Sequence, residues 1–273
     1  MLIGYADDYG AAGRSAPFVV DPSHPLARGL NVYCTPGLPT SVSVPVARAN
    51  LAPGGPAFTS AVGAASRVTG VIGDAAESTY GAEDAYRITT WVPGIGAGDY
   101  TIAAHLRSAS VFTHNYSGPL FSYGTFSPAV YQTVGGTGGQ WGMYHGGNIL
   151  SGRVLANSTT YALAAVRRSG VVSFYVDGVK TGSVANTTTW GSSGTLYVGS
   201  DPSDPSTQNF QGRLSWLGVW TRALGPDEVL SLHVSPWAMM ESTTRRMWFL
   251  PAIAGGGTPM AIYVHHRQQQ GIA

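Results

Sequence analysis

Asp177-Gly178 stands between two strand-like stretches, Val171–Val176 and Val179–Val184, and this junction constrains the chain more than any other. A two-residue turn between antiparallel strands needs positive φ at both central positions, and an Asp-Gly pair accepts that at little cost. A tight hairpin therefore begins an antiparallel sheet here. The same grammar runs along the neighbouring sequence. Tyr100–Leu106 reads as a strand entered from Gly94–Asp99, and Pro119–Tyr123, Ala129–Val134 and Trp141–Tyr144 follow. Thr160–Arg167 leads through Arg168-Ser169-Gly170 into the hairpin, and Thr195–Gly199 and Gly212–Thr221 come after it. Short strands at this spacing predict a sandwich or barrel and not a parallel α/β sheet.

Composition agrees. Only 11% of residues are charged, against roughly 25% in an average domain, so long surface helices lack their usual Glu and Lys. The 37 glycines and 17 prolines supply turn dihedrals, while 44% apolar residues suffice for a sizeable core. One helix is predicted, opened by Pro226-Asp227-Glu228, carrying Val229, Leu230 and Leu232, and ending before Pro236. Val42–Val46 alternates like a strand, with Pro45 confining it to an edge, and residues 51–66 read as loop.

Several partner classes are disfavoured. The net charge is +1, and no basic block exceeds Arg167-Arg168 or Arg245-Arg246, so nucleic acid is not an expected partner. No apolar run approaches the ~20 residues that span a bilayer, and Met1–Asp8 lacks the features of a secretory leader. Cys34 is the only cysteine; it reads as a small buried apolar residue in a chain folded in a reducing compartment. The organisation expected is an N-terminal arm (residues 1–24), one β-sandwich domain (25–250) and a C-terminal arm (251–273), within which Gly255-Gly256-Gly257 forms a hinge before Met260–Val264.

The order of motifs resembles the LamG-like, concanavalin A-like lectin/glucanase superfamily. Asp99-Tyr100-Thr101-Ile102-Ala103-Ala104 is similar to its opening core strand, and Tyr161–Arg167 to the strand often written Trp-His-Val-Ala-Val. Phe174-Tyr175-Val176-Asp177-Gly178-Val179-Lys180 is similar to its Leu-Tyr-Val-Asp-Gly hairpin. Leu196-Tyr197-Val198-Gly199, Phe210–Leu214 and Trp220-Thr221-Arg222-Ala223-Leu224 continue the series to about residue 235. Ser215 stands where the family often has an acid. The resemblance implies an all-β jelly-roll sandwich, here with extended N- and C-terminal arms. His24–Leu30 and Pro236-Trp237 with Arg245-Arg246 resemble flanks found in tailed-phage members. That implies a virion protein made in the host cytoplasm, such as a capsid decoration or head-fibre protein. Major capsid or tail protein would be its partner, and fibre proteins by analogy suggest a homo-oligomer.

Chemistry is sparse. A glucanase of this fold would place two carboxylates on one strand face, and no Glu-x-Asp-x-Glu alternation exists, so no enzyme, no catalytic residue and no cofactor are expected. The seven His show no zinc spacing, and His265-His266 would point to opposite faces of a strand. Asp201, Asp204 and Asn209 could supply calcium ligands, though Pro202 and Pro205 make turn formation the simpler account. Tyr123, Trp141, Tyr144 and His145 flank Gly-rich loops and could form an aromatic glycan platform; alternatively Trp141 and Tyr144 face the core. Trp216 and Trp220, four apart on a strand, share a face for core or interface packing. In the C-terminal arm, Met260, Ile262, Tyr263 and Val264 form a strand-like segment that could add to a neighbour's sheet. Arm-mediated assembly leads, and glycan adhesion is the alternative.

Overall fold

The computed structural model describes residues 18–35, 50–58, 60–62, 66–69, 74–78, 85–108, 116–124, 127–133, 139–200, 210, 212–235 and 238–242. In chain order the strands are β1 (Phe18–Val20), β2 (Leu30–Cys34), β3 (Ser60–Val62), β4 (Ser66–Thr69), β5 (Asp74–Ser78) and β6 (Ala85–Trp91). Next come β7 (Tyr100–Ser108), β8 (Tyr116–Tyr123), β9 (Ala129–Thr133), β10 (Gln140–Tyr144), β11 (Asn148–Val154) and β12 (Thr160–Arg168). β13 (Val171–Val176), β14 (Val179–Ala185), β15 (Gly194–Val198) and β16 (Gly212–Trp220) follow, then helix α1 (Pro226–Val234) and β17 (Met240–Ser242). The expected all-β sandwich is what forms. One sheet has the order β11-β10-β9-β8-β15-β6-β3; the other runs β14-β13-β12-β7-β16-β5-β4, with β2 also paired to β16. The pairings are antiparallel throughout the described ladders.

Strand parity builds two apolar layers. Ile102, Ala104, Leu106, Leu163, Ala165, Phe174, Leu217 and Val219 face inward and meet Ile88, Trp91, Phe121, Val130, Trp141, Met143, Leu196 and Val198 of the seven-stranded sheet. The alternate residues of the eight-stranded sheet, among them Ala103, Ala164, Val166, Trp216 and Trp220, face outward and are roofed by Val20, Leu26, Val229, Leu232 and Met240. Both predicted tryptophans belong to this second layer, and Trp216 stacks on Tyr33 at 5.8 Å. Each fully buried side chain of this size contributes roughly 1.5–3 kcal/mol over an exposed one. Because both faces of its central strands are covered, β7, β12 and β16 read as near-continuous apolar runs.

The Asp177-Gly178 turn has φ of +52° and +79°, as the hairpin requires. Helix α1 begins after Gly225, whose N–H donates to the Glu228 carboxylate at 2.8 Å, and the two first-turn acids complement the helix dipole. Cys34 is buried, and burial pushes its thiol up.

Other expectations meet a different outcome. Asn148–Val154 forms a strand that the sequence hides, because Ile149 and Leu150 are consecutive apolar residues and Gly152 has φ +73°. Ser60–Val62 and the start of β4 lie in the segment read as loop, yet pair with Ala85–Arg87 and with Glu77. Phe18–Val20, inside the segment read as an arm, pairs with Met240–Ser242. Val42–Val46, Asp201, Asp204, Asn209, Met260, Ile262, Tyr263, Val264 and His265-His266 lie outside the described residues.

Candidate functional site

Three of the four proposed platform residues are interior, so they cannot receive a ligand ring. Tyr123 is 1% exposed; its hydroxyl donates to the Gly191 carbonyl at 3.1 Å, and its ring lies 5.4 Å from both Trp91 and Trp190. Trp141 points into the core and meets Phe174 edge-on at 5.0 Å. His145 is fully buried, with Nδ1 3.4 Å from the Tyr100 hydroxyl and Nε2 3.4 Å from the Thr189 carbonyl. Desolvation lowers its pKa, and the Arg167 charge lowers it further. Only Tyr144 reaches solvent. Strand alternation is the reason: Trp141 and Met143 point inward, so Tyr144 points outward.

Register shows what accompanies Tyr144. Across the seven-stranded sheet, Arg87 lies opposite Tyr197, Tyr197 opposite Ser122, Ser122 opposite Ala129, Ala129 opposite Tyr144, and Tyr144 opposite Asn148. Directly paired residues share a face, and the flanking Ile88, Leu196, Phe121, Val130, Met143 and Ile149 all point into the core. The row therefore lies on the outer face. Ser122 and Ala129 in its middle are fully covered, and the Ser122 hydroxyl donates to the Ser200 carbonyl at 2.9 Å. Tyr197 and Tyr144 stand three strand spacings apart, about 14 Å.

The β10–β11 end is the accessible part. Tyr144 and Asn148 are exposed on either side of the His145-Gly146-Gly147 turn. That turn is held from behind by residues 186–190: Asn186 Nδ2 donates to the His145 carbonyl at 2.8 Å. Thr187 and Thr189 of the same segment are exposed. None of the seven strands contains an Asp or a Glu. Among the described residues no three or more His, Cys, Asp or Glu side chains come together as a metal site. Also among the described residues, no helix is long and apolar enough to cross a membrane.

Parity, which decides Tyr144 over Trp141, is readable from the sequence only once one inward residue per strand is known. Tyr197 and Asn148 carry no separate signal, because their relevance comes from cross-strand register.

Two antiparallel sheets packed face to face, one roofed by a helix and the other open to solvent at one end, define a lectin-type β-sandwich. The model of the Concanavalin A-like lectin/glucanases superfamily (Laminin_G_3) matches residues 81–230, more than half of the sequence, and the chain belongs to that superfamily. No curated protein matches it. Solved structures share the fold at low identity. The binding domain of Paraclostridial Mosquitocidal Protein 1 is 14% identical with a TM-score of 0.55, over 78% of this chain and 53% of that one. A Trypanosoma rangeli sialidase is 16% identical with a TM-score of 0.53, over 77% of this chain and 33% of that one. Domain 4 of AbnA, an extracellular GH43 arabinanase from Geobacillus stearothermophilus solved with arabinotriose, is 20% identical with a TM-score of 0.50, over 63% and 82%. The chain thus spans most of the arabinanase domain but only a third of the sialidase.

Proposed function

We propose that this chain is a carbohydrate-binding adhesion module whose platform is the outer face of the seven-stranded sheet at the β10–β11 end. The observation that carries the reading is the outward pairing of Tyr144 with Asn148, in a sheet whose strands hold no carboxylate. A sugar stacks its apolar face on an aromatic ring while amide and hydroxyl groups bind its hydroxyls. Asn148, paired with Tyr144 across the β10–β11 ladder, offers such a group beside the exposed ring. Glycoside hydrolysis needs a carboxylate pair, so the reading is binding without turnover. The likeness in fold to an arabinanase domain solved with arabinotriose agrees with it. The test is a glycan array with the full chain, followed by titration of Tyr144→Ala and Tyr197→Ala. Saturable binding lost in Tyr144→Ala with the fold intact is expected. An empty array, or binding indifferent to both substitutions, overturns the reading.

A finer setting is a tailed-phage virion, with the chain as a decoration or head-fibre protein anchored to capsid or tail protein through its terminal arms. One structural relation favours anchoring. Phe18 pairs with Ser242, so the first and last described residues lie side by side. Val20 and Met240 of that ribbon belong to the roof of the eight-stranded sheet, on the side opposite the platform. A module tethered there would present Tyr144 outward. Immunogold labelling of particles from the source tests this. Label on capsids or tails supports it; unlabelled particles sink it.

A further inference from the structure

Strand β10 alternates without interruption. Trp141 and Met143 point into the core, so Gln140, Gly142 and Tyr144 share the outer face. The ladder sets Val154 opposite Gln140, Leu150 opposite Gly142 and Asn148 opposite Tyr144, and directly paired residues share a face. The row of Tyr144 and Asn148 is thus the first of three along the strands. Gln140, in the third, stands four residues from Tyr144, about 13 Å at the rise of a strand.

A missing side chain shapes the middle row. A Cβ on Gly142 would fall 2.5 Å from the Ile149 carbonyl oxygen and 3.0 Å from Leu150 Cδ2, so Leu150 leans over the glycine. Leu150 is half-buried there, whereas Val154 in the third row is 52% exposed. Each row therefore carries an apolar group: Tyr144, Leu150 and Val154. The first and last rows add the amides of Asn148 and Gln140. Strand β10 raises no side chain across either end. Gly139 precedes Gln140, and beyond Tyr144 comes the buried His145 and then Gly146.

A sugar ring has an apolar face and a rim of hydroxyls, which aromatic or aliphatic surface and amides match. One ring can cover Tyr144 and reach Asn148, but it cannot reach the third row as well. We propose that the β10–β11 strip binds an internal segment of a linear polysaccharide lying along the strands. Leu150, Gln140 and Val154 take the units that follow the one stacked on Tyr144. This deepens the glycan reading and rests on it, since Tyr144 supplies the stacking ring.

The experiment titrates the full chain with linear glucan, xylan, mannan and arabinan. It continues with oligosaccharides of one to six units from the polysaccharide that binds, each with free ends and with both ends blocked. Affinity should rise at least about tenfold from the single sugar to the trisaccharide and then level, and blocking the ends should change nothing. Val154→Asp, at an exposed position, should weaken the trisaccharide about tenfold and flatten the series. A single sugar bound as tightly as the trisaccharide, or binding lost when an end is blocked, overturns this proposal and leaves the Tyr144 reading standing. Binding to none of the polysaccharides overturns it too. The glycan array then separates the two readings: a terminal or branched sugar bound there spares Tyr144, and an empty array removes both.

Discussion

The indole N–H of Trp220 donates a 2.6 Å hydrogen bond to the carbonyl of Leu26, a residue 194 positions earlier. Both groups are buried, so this bond fastens the lead-in of the domain to its closing strand. Trp220→Phe removes the N–H and part of a fully buried ring; the unpaired Leu26 carbonyl alone costs about 1–3 kcal/mol, and the cavity adds to it. Urea denaturation should show that loss with an unchanged slope. A loss below about 0.5 kcal/mol would mean that water replaces the donor.

Arg222 reinforces the same junction. Its Nε donates to the Arg28 carbonyl at 2.7 Å and its Nη2 to Pro25 at 3.0 Å, while Nη1 and Nη2 hold both Glu228 oxygens at 2.8 and 2.7 Å. Lysine cannot reproduce this fork, so Arg222→Lys should lose about 1–2 kcal/mol despite keeping the charge. The Arg222 hydrogen bonds hold the Glu228 carboxyl below its ordinary value. Its contribution is therefore full above about pH 4.5, and falls away as acid protonates it through that lowered pKa. A double-mutant cycle with Glu228→Gln, run at neutral and acidic pH, checks both points.

His105 should dominate the acid limb at milder pH. It lies on the outward parity of β7, is 5% exposed, and its Nδ1 has no partner. Burial pushes its pKa from 6.5 down to about 4; nearby Asp177 opposes that shift and His233 adds to it. The unfolded chain binds the proton first, so stability falls as pH drops from about 6.5 to about 4. At ~1.4 kcal/mol per pH unit the interval amounts to about 3 kcal/mol. Chemical denaturation of His105→Gln across that range should give a flatter profile. A slope equal to that of the unmodified chain would exclude His105 as its source.

How much of this was legible beforehand depended on whether a feature is local. The Asp177-Gly178 turn, the Pro226 helix start and the core-strand runs are short-range signals, and each lies where the sequence points. The Trp220–Leu26 bond joins residues far apart, so its chemistry has no local signature. The platform shows the same divide. Aromatic residues beside glycines suggested Tyr123, Trp141, Tyr144 and His145 alike, whereas parity leaves only Tyr144 of these on the outer face and register adds Asn148 and Tyr197.

That distinction is measurable without any ligand. Trp141→Ala empties a packed interior site and should cost about 3–5 kcal/mol. Tyr144→Ala removes a ring that is 36% exposed and should cost no more than about 1 kcal/mol. Paired thermal melts of the two variants therefore test the assignment of faces. Equal losses would mean that the parity of β10 is wrong.

The hairpin offers a cleaner separation of backbone from packing. Gly178 and Gly170 have nearly equal φ, +79° and +78°, so an alanine at either should meet the same left-handed penalty of about 1–2 kcal/mol. Their surroundings differ. A Cβ on Gly178 would fall 2.8 Å from Leu230 Cδ1 and 3.3 Å from Leu230 Cα on helix α1, whereas one on Gly170 would meet Thr187 Cγ2 at 3.6 Å, an ordinary contact. The Leu230 methyl can swing aside, but its backbone cannot move without shifting the helix that roofs Ala164 and Val166. Gly178→Ala should therefore destabilise more than Gly170→Ala, by about 1 kcal/mol. Helix α1 should also gain faster amide hydrogen exchange in the first variant alone. Equal destabilisation and unchanged exchange would show that the turn does not bear on the helix.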